Sequence, residues 1–302
     1  MKRHGKLSDP DHLWQSQNFL HDRSLITGLL KKTSIGREDA VLEIGPGKGI
    51  ITWELVKKCR KVYGIEYDFY LYQKLKERFE SIGNIDIVHD DFLNYELPEK
   101  TPYKVFSSIP FNLTAQIINK LVFSPSPPED VYLIMQKEAA VKYAGNPYGR
   151  ECMRSLLLKP FFKTEITHCF KNTDFYPVPG VSVVLLYIGK RKIPLVEQSQ
   201  SQEYNDFIAY AFSRAGKDLK ERLGKIFTRE QFKKLAKEAE FDITCSPLEL
   251  TDRQWLVLFR YYAGYVSEIK KSNVHGAYRR LIKQQSKLSK IHRNRRGEPS
   301  FL

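Results

Sequence analysis

Residues Val41 to Gly49 read VLEIGPGKG, an apolar β-run that breaks into a turn carrying Gly45, Gly47 and Gly49. A helix-like stretch, Ile50 to Cys59, follows at once. No other stretch constrains the fold as tightly, because a strand, a tight turn and a helix must follow one another without a break. Glycines at such a junction permit the turn and let backbone N–H groups approach a ligand with no Cβ in the way. Seventeen residues past Gly49, the apolar run Val62 to Ile65 ends in Glu66. An acid at that point commonly grips ribose hydroxyls. The stretch therefore predicts a ligand that contains a nucleoside.

The surrounding sequence supplies a sheet for this turn. Apolar β-runs occur at Ala40–Ile44, Val62–Glu66, Ile85–His89, Tyr103–Ser107, Val131–Met135, Glu165–Phe170 and Ser182–Ile188. Helical stretches lie between most of them, including Ser24–Lys32, Asp68–Ser81, Leu113–Val122 and Glu151–Lys159. Alternation of this kind predicts an α/β domain, a mostly parallel sheet with helices on both faces. Its ligand belongs beyond the carboxyl ends of the central strands. The charged and polar stretch KRKIPLVEQSQS, Lys190 to Ser201, reads as a linker. Beyond it the period is helical, with Phe232, Leu235, Ala236 and Ala239 at i, i+3, i+4 and i+7. Thr228 with Gln231, and Thr251 with Gln254, match the capping-box spacing. The expected organisation is a ligand-binding α/β domain over 1–190, a linker over 191–201, a smaller all-helical domain over 202–263 and a basic tail over 264–302. The tail, with few apolar anchors, is expected to be disordered unless bound.

The net charge is +14, and +8 of it lies in the last 39 residues. A basic balance of that size points to a polyanionic partner, nucleic acid before membrane. Cys59, Cys152, Cys169 and Cys245 show no C-x-x-C spacing, which argues against a zinc site and a disulfide framework and fits a reducing cytosol. No metal is expected. The opening MKRHGKLSDP has no apolar core behind its charges, and no uncharged run approaches ~20 residues, so neither a signal peptide nor a spanning helix is expected. A cytoplasmic monomer is the corresponding expectation.

Two further segments carry chemistry. The fourth β-run delivers Ser108-Ile109-Pro110-Phe111 at its carboxyl end. Pro110 fixes the direction of the carbonyl before it, and Phe111 offers a flat face to a base. Polar acceptors beside an aromatic plate suit a planar exocyclic amine. Phe175 to Leu185, FYPVPGVSVVL, forms a proline-stiffened elbow leading into the last strand. Taken singly, each has a plainer reading, as a turn with a core aromatic or a connection before an edge strand. Together with SQNFL, EIGPGKG, the terminal Glu66, Asp90-Asp91-Phe92 and MQKEAA, they resemble the rRNA adenine N6-methyltransferases, the Erm and KsgA group. The resemblance runs from about His12 to Tyr262. Within the group, SQNFL and LTDRQWLVLFRYY look more like the Erm branch.

The resemblance implies a Rossmann-like methyltransferase domain and S-adenosylmethionine as donor. It implies that Gln17, Asn18 and Leu20 line the donor's methionine end, with Glu43, Gly45 and Gly47 at the turn. Glu66 would hold the ribose, and Asp91 with Phe92 the adenine ring. Ser108 and Ile109, ahead of Pro110, would accept from the target amine, with Phe111 and Phe175 stacking on the flipped adenine. The partner would be ribosomal RNA, 23S favoured, and the helical domain would recognise it. The chain departs from the family at Ser108, where the usual residue is Asn, and at Val183, where many relatives have Ser. A shorter hydroxyl at 108 implies a bias toward one methyl rather than two. Three alternatives stay open: a housekeeping small-subunit enzyme, a non-catalytic donor-binding RNA-binding factor, and, disfavoured by SIPF and FYPVPGV, a NAD-dependent oxidoreductase.

Overall fold

The computed structural model describes residues 19–292, the last seven of these by their backbone. The chain divides into two compact units, Met1–Val141 with Lys163–Lys190 and Lys142–Phe162 with Arg191–Leu302.

The first unit is built on a seven-stranded sheet. Its strands are β2 (Ala40–Ile44), β3 (Lys61–Glu66), β4 (Ile85–His89), β5 (Lys104–Ser108), β6 (Asp130–Gln136), β7 (Phe162–Cys169) and β9 (Val183–Lys190), in the order β4-β3-β2-β5-β6-β9-β7. From β4 to β6 the neighbours are parallel; β9 joins β6 antiparallel. A two-stranded ribbon, β1 (Phe19–Leu20) with β8 (Phe175–Tyr176), stands apart from this sheet. The strand order reverses between β2 and β5. At such a switch point the connections leave in opposite directions and open a crevice at the carboxyl ends.

β2 is buried along its whole length, as a central parallel strand must be. Alternation along it sends Val41 into an apolar cluster with Ile26, Leu29 and Leu30 of helix α1 (Arg23–Lys31) and with Ile51 and Leu55 of α2 (Ile50–Lys58). Phe106, Tyr132, Ile134, Val183 and Leu185 extend the cluster across β5, β6 and β9. Helix α3 (Phe69–Phe79) turns Leu75 and Phe79 into a neighbouring cluster with Ile87 of β4. Gly49 is the residue from which α2 starts. Its φ of 73° is left-handed, and a Cβ there would meet Leu75 Cδ2 at 2.8 Å and Phe79 Cε2 at 3.0 Å. Conformation and space both demand glycine at this point.

In the second unit, α6 (Met153–Leu158), α7 (Ser201–Ser213), α8 (Leu219–Leu223), α9 (Arg229–Glu238) and α10 (Asp252–Tyr265) surround a core of Tyr204, Phe207, Trp255, Phe259 and Tyr262. Phe207 stacks on Tyr262 at 4.8 Å and meets Trp255 nearly edge-on at 6.2 Å. The structure departs from the sequence reading in three places. Residues 142–162 fall in this unit and not in the α/β one, because Leu156 and Leu157 join its core and the Leu156 carbonyl accepts from the buried Tyr204 hydroxyl at 2.9 Å. The tail is also not unstructured through 292. It forms α11 (Glu268–Lys271) and α12 (Ala277–His292), because Val266, Val274 and Ala277 are buried in the same core. Val196 is buried there as well, so the linker stretch is partly core.

The sharpest test of the strand–turn–helix junction is Gly49→Ala. A left-handed alanine costs about 1–2 kcal/mol and overpacking about 1–3 kcal/mol. Urea unfolding is expected to show a loss of at least about 2 kcal/mol, whereas Gly28→Ala, in open space on α1, should be neutral or stabilising.

Candidate active site

The carboxyl ends of β2, β3 and β5 converge on one buried polar network. Beyond β2 the chain turns through Gly45, Gly47 and Gly49, all with positive φ. The turn is closed by hydrogen bonds from Gly45 N–H to the Ile65 carbonyl and from Gly49 N–H to the Pro46 carbonyl, each 2.9 Å. Glu66, at the end of β3, clamps it. Its Oε2 accepts from Gly47 N–H at 2.9 Å and its Oε1 from Asp68 N–H at 2.9 Å. Both oxygens keep lone pairs for further donors. Burial nevertheless holds the Glu66 carboxyl above its ordinary value, against the lowering effect of those two donors.

Glu43 lies deeper. Burial pushes its carboxyl up to about 8, with the Glu66 charge adding to the rise and the Thr52 hydroxyl opposing it. Thr52 Oγ1 donates to Glu43 Oε2 at 2.7 Å. The turn is thus underlain by Glu43, mostly protonated near neutral pH, and, nearer the surface, by Glu66, held by two backbone donors.

Phe19 on the β1–β8 ribbon closes over the turn. A Cβ at Gly47 would come within 2.9 Å of its ring, while one at Gly45 would meet nothing within 4 Å. The two glycines therefore differ from the reading that both admit a ligand. Gly47 is covered by an aromatic ring, and the open approach is over Gly45. Leu20 is buried in the apolar cluster and pairs with Phe175. Gln17 and Asn18 lie outside the described residues.

On the β4 side, Asp91 Oδ1 accepts from Leu93 N–H at 2.8 Å and its carbonyl accepts from Asn94 and Tyr95 N–H, which curls the loop around the buried Phe92. Lys120 of α4 (Thr114–Val122) fastens that loop. Its Nζ donates to the Leu93 carbonyl at 2.9 Å and the Tyr95 carbonyl at 2.5 Å, and sits 5.3 Å from the Phe92 ring centroid.

On the β5 side, Ser107 and Ser108 point in opposite directions along the strand. Ser107 is fully buried and ties β5 to β2. Its hydroxyl donates to the Ile44 carbonyl at 2.5 Å and accepts from Ile44 N–H at 3.2 Å. Ser108 is half-buried, and its hydroxyl makes no side-chain hydrogen bond to any described residue. Ile109 is held by its N–H on the Ile134 carbonyl at 3.2 Å, and Pro110 leads into a single tight turn, Phe111–Leu113. Thr114 Oγ1 donates to the Phe111 carbonyl at 2.9 Å.

Phe111 and Phe175 reach the same apolar cluster, although 64 residues separate them in the chain. Phe175, however, is only 2% exposed and lies edge-on to Phe170 at 5.4 Å. The open aromatic of that elbow is Tyr176, 71% exposed, because strand alternation turns the next side chain outward. Tyr176, Phe19 and Phe175 line a cleft of about 630 Å³ that also carries Arg23, Lys48 and Arg78. Lys48 Nζ stands 4.7 Å from the Phe19 ring centroid, and Arg78 Nη1 donates to the Lys48 carbonyl at 2.8 Å. An aromatic floor with cationic walls suits a nucleic-acid strand.

The sequence model of the ribosomal RNA adenine dimethylase family matches residues 12–263. The chain belongs to this family. The rRNA adenine N-6-methyltransferase of Lysinibacillus sphaericus is 32% identical over 250 residues, covering 82% of this chain and 95% of that protein. The ribosomal RNA small subunit methyltransferase A of Listeria monocytogenes serotype 4a (strain HCC23) is 27% identical over 224 residues, 70% of this chain and 75% of that protein. Among solved structures, the 23S rRNA methyltransferase ErmE superposes with a TM-score of 0.75 at 28% identity, covering 82% of this chain and all of that one. The chain is thus an rRNA adenine N6-methyltransferase with a Rossmann-like α/β fold, and the oxidoreductase alternative falls away.

Enzymes of this family use S-adenosylmethionine, and the residues present fit it. A nucleoside needs acceptors for ribose hydroxyls, which Glu66 supplies, and a backbone approach without a Cβ, which the space over Gly45 supplies. Sequence reasoning missed Thr52, Ser107 and Lys120. Ser107 and Thr52 sat beside recognised motifs and were legible as polar residues in buried elements. Lys120 gave no local signal, since the carbonyls it holds lie 25 and 27 residues away.

The Glu43 carboxyl sets a pH test. Its folded value of about 8 exceeds the ordinary 4.5. Its contribution to stability is therefore full below about 4.5 and is lost as pH rises through about 8. Urea midpoints taken across that window should fall with pH in the unmodified enzyme, and the fall should be shallower in Glu43→Gln. Parallel profiles would show that Glu43 is ionised in the folded enzyme.

Proposed function

We propose that this enzyme methylates N6 of an adenine in 23S rRNA, with S-adenosylmethionine as donor, and thereby confers resistance to macrolide, lincosamide and streptogramin B antibiotics. What supports the reading is the switch point between β2 and β5, which sets the Glu66-clamped glycine turn beside the carboxyl end of the strand that carries Ser108 and leads into Ile109, Pro110 and Phe111. Likeness to ErmE, a 23S rRNA methyltransferase, at 28% identity over 82% of the chain supports the large-subunit choice over the small-subunit one.

The donor supplies an electrophilic methyl group on a sulfonium. Gln17, Asn18 and Leu20 would border its methionine end, Glu66 would accept from its ribose, and the loop of Asp91 and Phe92, tied down by Lys120, would hold its adenine. Glu43 shapes the turn from beneath. Adenine N6 is a poor nucleophile because its lone pair is delocalised into the ring. Ser108 Oγ and the Ile109 carbonyl each accept one N6 hydrogen, which favours a more tetrahedral nitrogen with its lone pair free. Pro110 fixes the carbonyl, and Ser107 fixes the spacing of β5 from β2, so acceptors and donor pocket keep one distance. Positioning of this kind supplies at best about 7–11 kcal/mol of the barrier. Phe111 stacks on the flipped base, with Phe175 packed behind as support. Stacking is worth about 1–3 kcal/mol and offsets part of the cost of unstacking the target. The product cation loses its surplus proton to water. The cleft of Arg23, Lys48, Arg78 and Tyr176 would take flanking nucleotides.

Three measurements test this. Incubation with 23S rRNA and donor, followed by mass spectrometry of the nucleosides, should show mainly monomethyladenine, and Ser108→Asn should raise the dimethyl share. Methylated adenine formed by Ser108→Asn but not by the unmodified enzyme would overturn the claim that Ser108 supports catalysis. Phe111→Ala should lower kcat/KM about 10- to 100-fold, with Phe111→Tyr restoring most of it. Expression in a susceptible host should raise resistance to the three drug classes. Methylation of small-subunit rRNA with no resistance would establish the housekeeping alternative.

A further inference from the structure

We propose that helix α12, Ala277–His292, is a phosphate-binding rod that the second unit holds against rRNA; the proposal rests on the rRNA reading above. A run of charge is ordinarily a solvated surface. Here two independent features say otherwise.

The first is the anchor. Asp206 of α7 is only 2% exposed, and its carboxylate is spent on the start of α12. Oδ2 accepts from Gly276 N–H at 2.8 Å and Oδ1 from Tyr278 N–H at 2.9 Å. Gln202 Nε2 adds a longer contact to Oδ1 at 3.3 Å. A carboxylate at a helix N-terminus satisfies donors that have no partner inside the helix. Below it, Ala277, Tyr278 and Leu281 pack on the apolar core. The chain therefore fixes the position and the roll of this helix, which a merely solubilising tail does not require.

The second is the face that this roll leaves outside. α12 contains five Lys or Arg and no acid. Arg279, Arg280 and Lys283 are exposed. Neither Arg279 nor Arg280 has an ion pair among the described residues, and Arg280 Nη1 reaches only the His275 carbonyl at 2.7 Å. Lys271, just before the helix, is treated differently: Glu268 and Glu203 neutralise it at 3.2 and 3.4 Å. In the sequence Arg280, Lys283, Lys287 and Lys290 recur at i, i+3, i+7 and i+10, the spacing of one helical face. The pinned helix leaves Arg279 and Arg280 exposed and has no acid in its own sequence, which matches the charge of a nucleic-acid backbone and carries no means of reading bases. Its occupant is the sugar–phosphate backbone of the rRNA substrate.

The test uses the full chain and an in vitro transcript of 23S rRNA, with binding measured at several salt concentrations and methyl transfer measured from labelled donor. In the variant Arg279→Gln/Arg280→Gln/Lys283→Gln, the slope of log K against log salt should shrink by about 2–3, because each neutralised phosphate contributes about 0.7–0.9. Affinity should fall about tenfold or more, while kcat at saturating RNA and the unfolding midpoint stay the same. The charge-conserving variant Arg279→Lys/Arg280→Lys/Lys283→Arg should keep the slope. An unchanged slope in the glutamine variant overturns the proposal, as does an equal loss in the charge-conserving one. RNA binding that depends on α12 with no methyl transfer by the unmodified chain would instead sink the proposed activity and leave the rod standing.

Discussion

The carboxylate of Glu66 is the interaction on which the first unit depends. It ties the turn after β2 to the start of the chain after β3, through Gly47 N–H on one oxygen and Asp68 N–H on the other. Three left-handed glycines in five residues would otherwise give a loose loop, since glycine loses the most backbone freedom on ordering. Burial still raises both Glu66 and Glu43 above their ordinary values. Glu66 keeps acceptor capacity beyond its two backbone donors, which suits a ligand that carries hydroxyl groups.

The second constraint is the distance between β2 and β5. The reversal of strand order opens a crevice there, and a crevice alone fixes no geometry. Ser107 fixes it, since one hydroxyl donates to and accepts from the two backbone groups of Ile44. Its neighbour Ser108, at the carboxyl end of β5, points the opposite way by alternation. The ribbon of β1 and β8 works by the same parity. Leu20 and Phe175 are buried in the core, while Phe19 and Tyr176 form the more exposed pair of the ribbon.

Much of this was legible in the sequence wherever the cause is local. The seven β-runs reappear as the seven strands of the sheet, because alternating and continuous apolar patterns report burial directly. Both capping boxes are formed, Thr228 with Gln231 and Thr251 with Gln254, since their partners lie three residues apart. The misses share one cause, which is long-range partnership. Lys120 looked like any surface lysine until its two carbonyls came to it. Asp206 sat in a helix pattern as a polar residue, and its role depends on backbone 70 and 72 residues away. The tail read as disordered because its buried anchors, Val266, Val274 and Ala277, are too few and too irregular to show a period. The stacking that the resemblance implies for Phe175 does not fit its burial, 2% exposed. Sequence identifies an aromatic, but its exposure follows from the ribbon that seats it.

Ser108 is where family chemistry and local structure meet. An asparagine amide at this position would present its acceptor farther into the crevice than a serine hydroxyl does. On the proposed reading the Ile109 carbonyl would be the firmer acceptor, since its residue is held by the Ile109 N–H on Ile134 and by Pro110. For an unmethylated amine this asymmetry matters little, because either of its two hydrogens can take the firm acceptor while the other meets Ser108. After one transfer a single hydrogen remains. If it takes the Ile109 carbonyl, the new methyl must occupy the space beside Ser108. A hydroxyl leaves more room there than an amide but offers no firm contact that would reorient the nitrogen for a second attack. On the proposed reading, a preference for one methyl would follow from unequal acceptors and not from a weakened donor site, since the glycine turn and the Glu66 clamp are both formed.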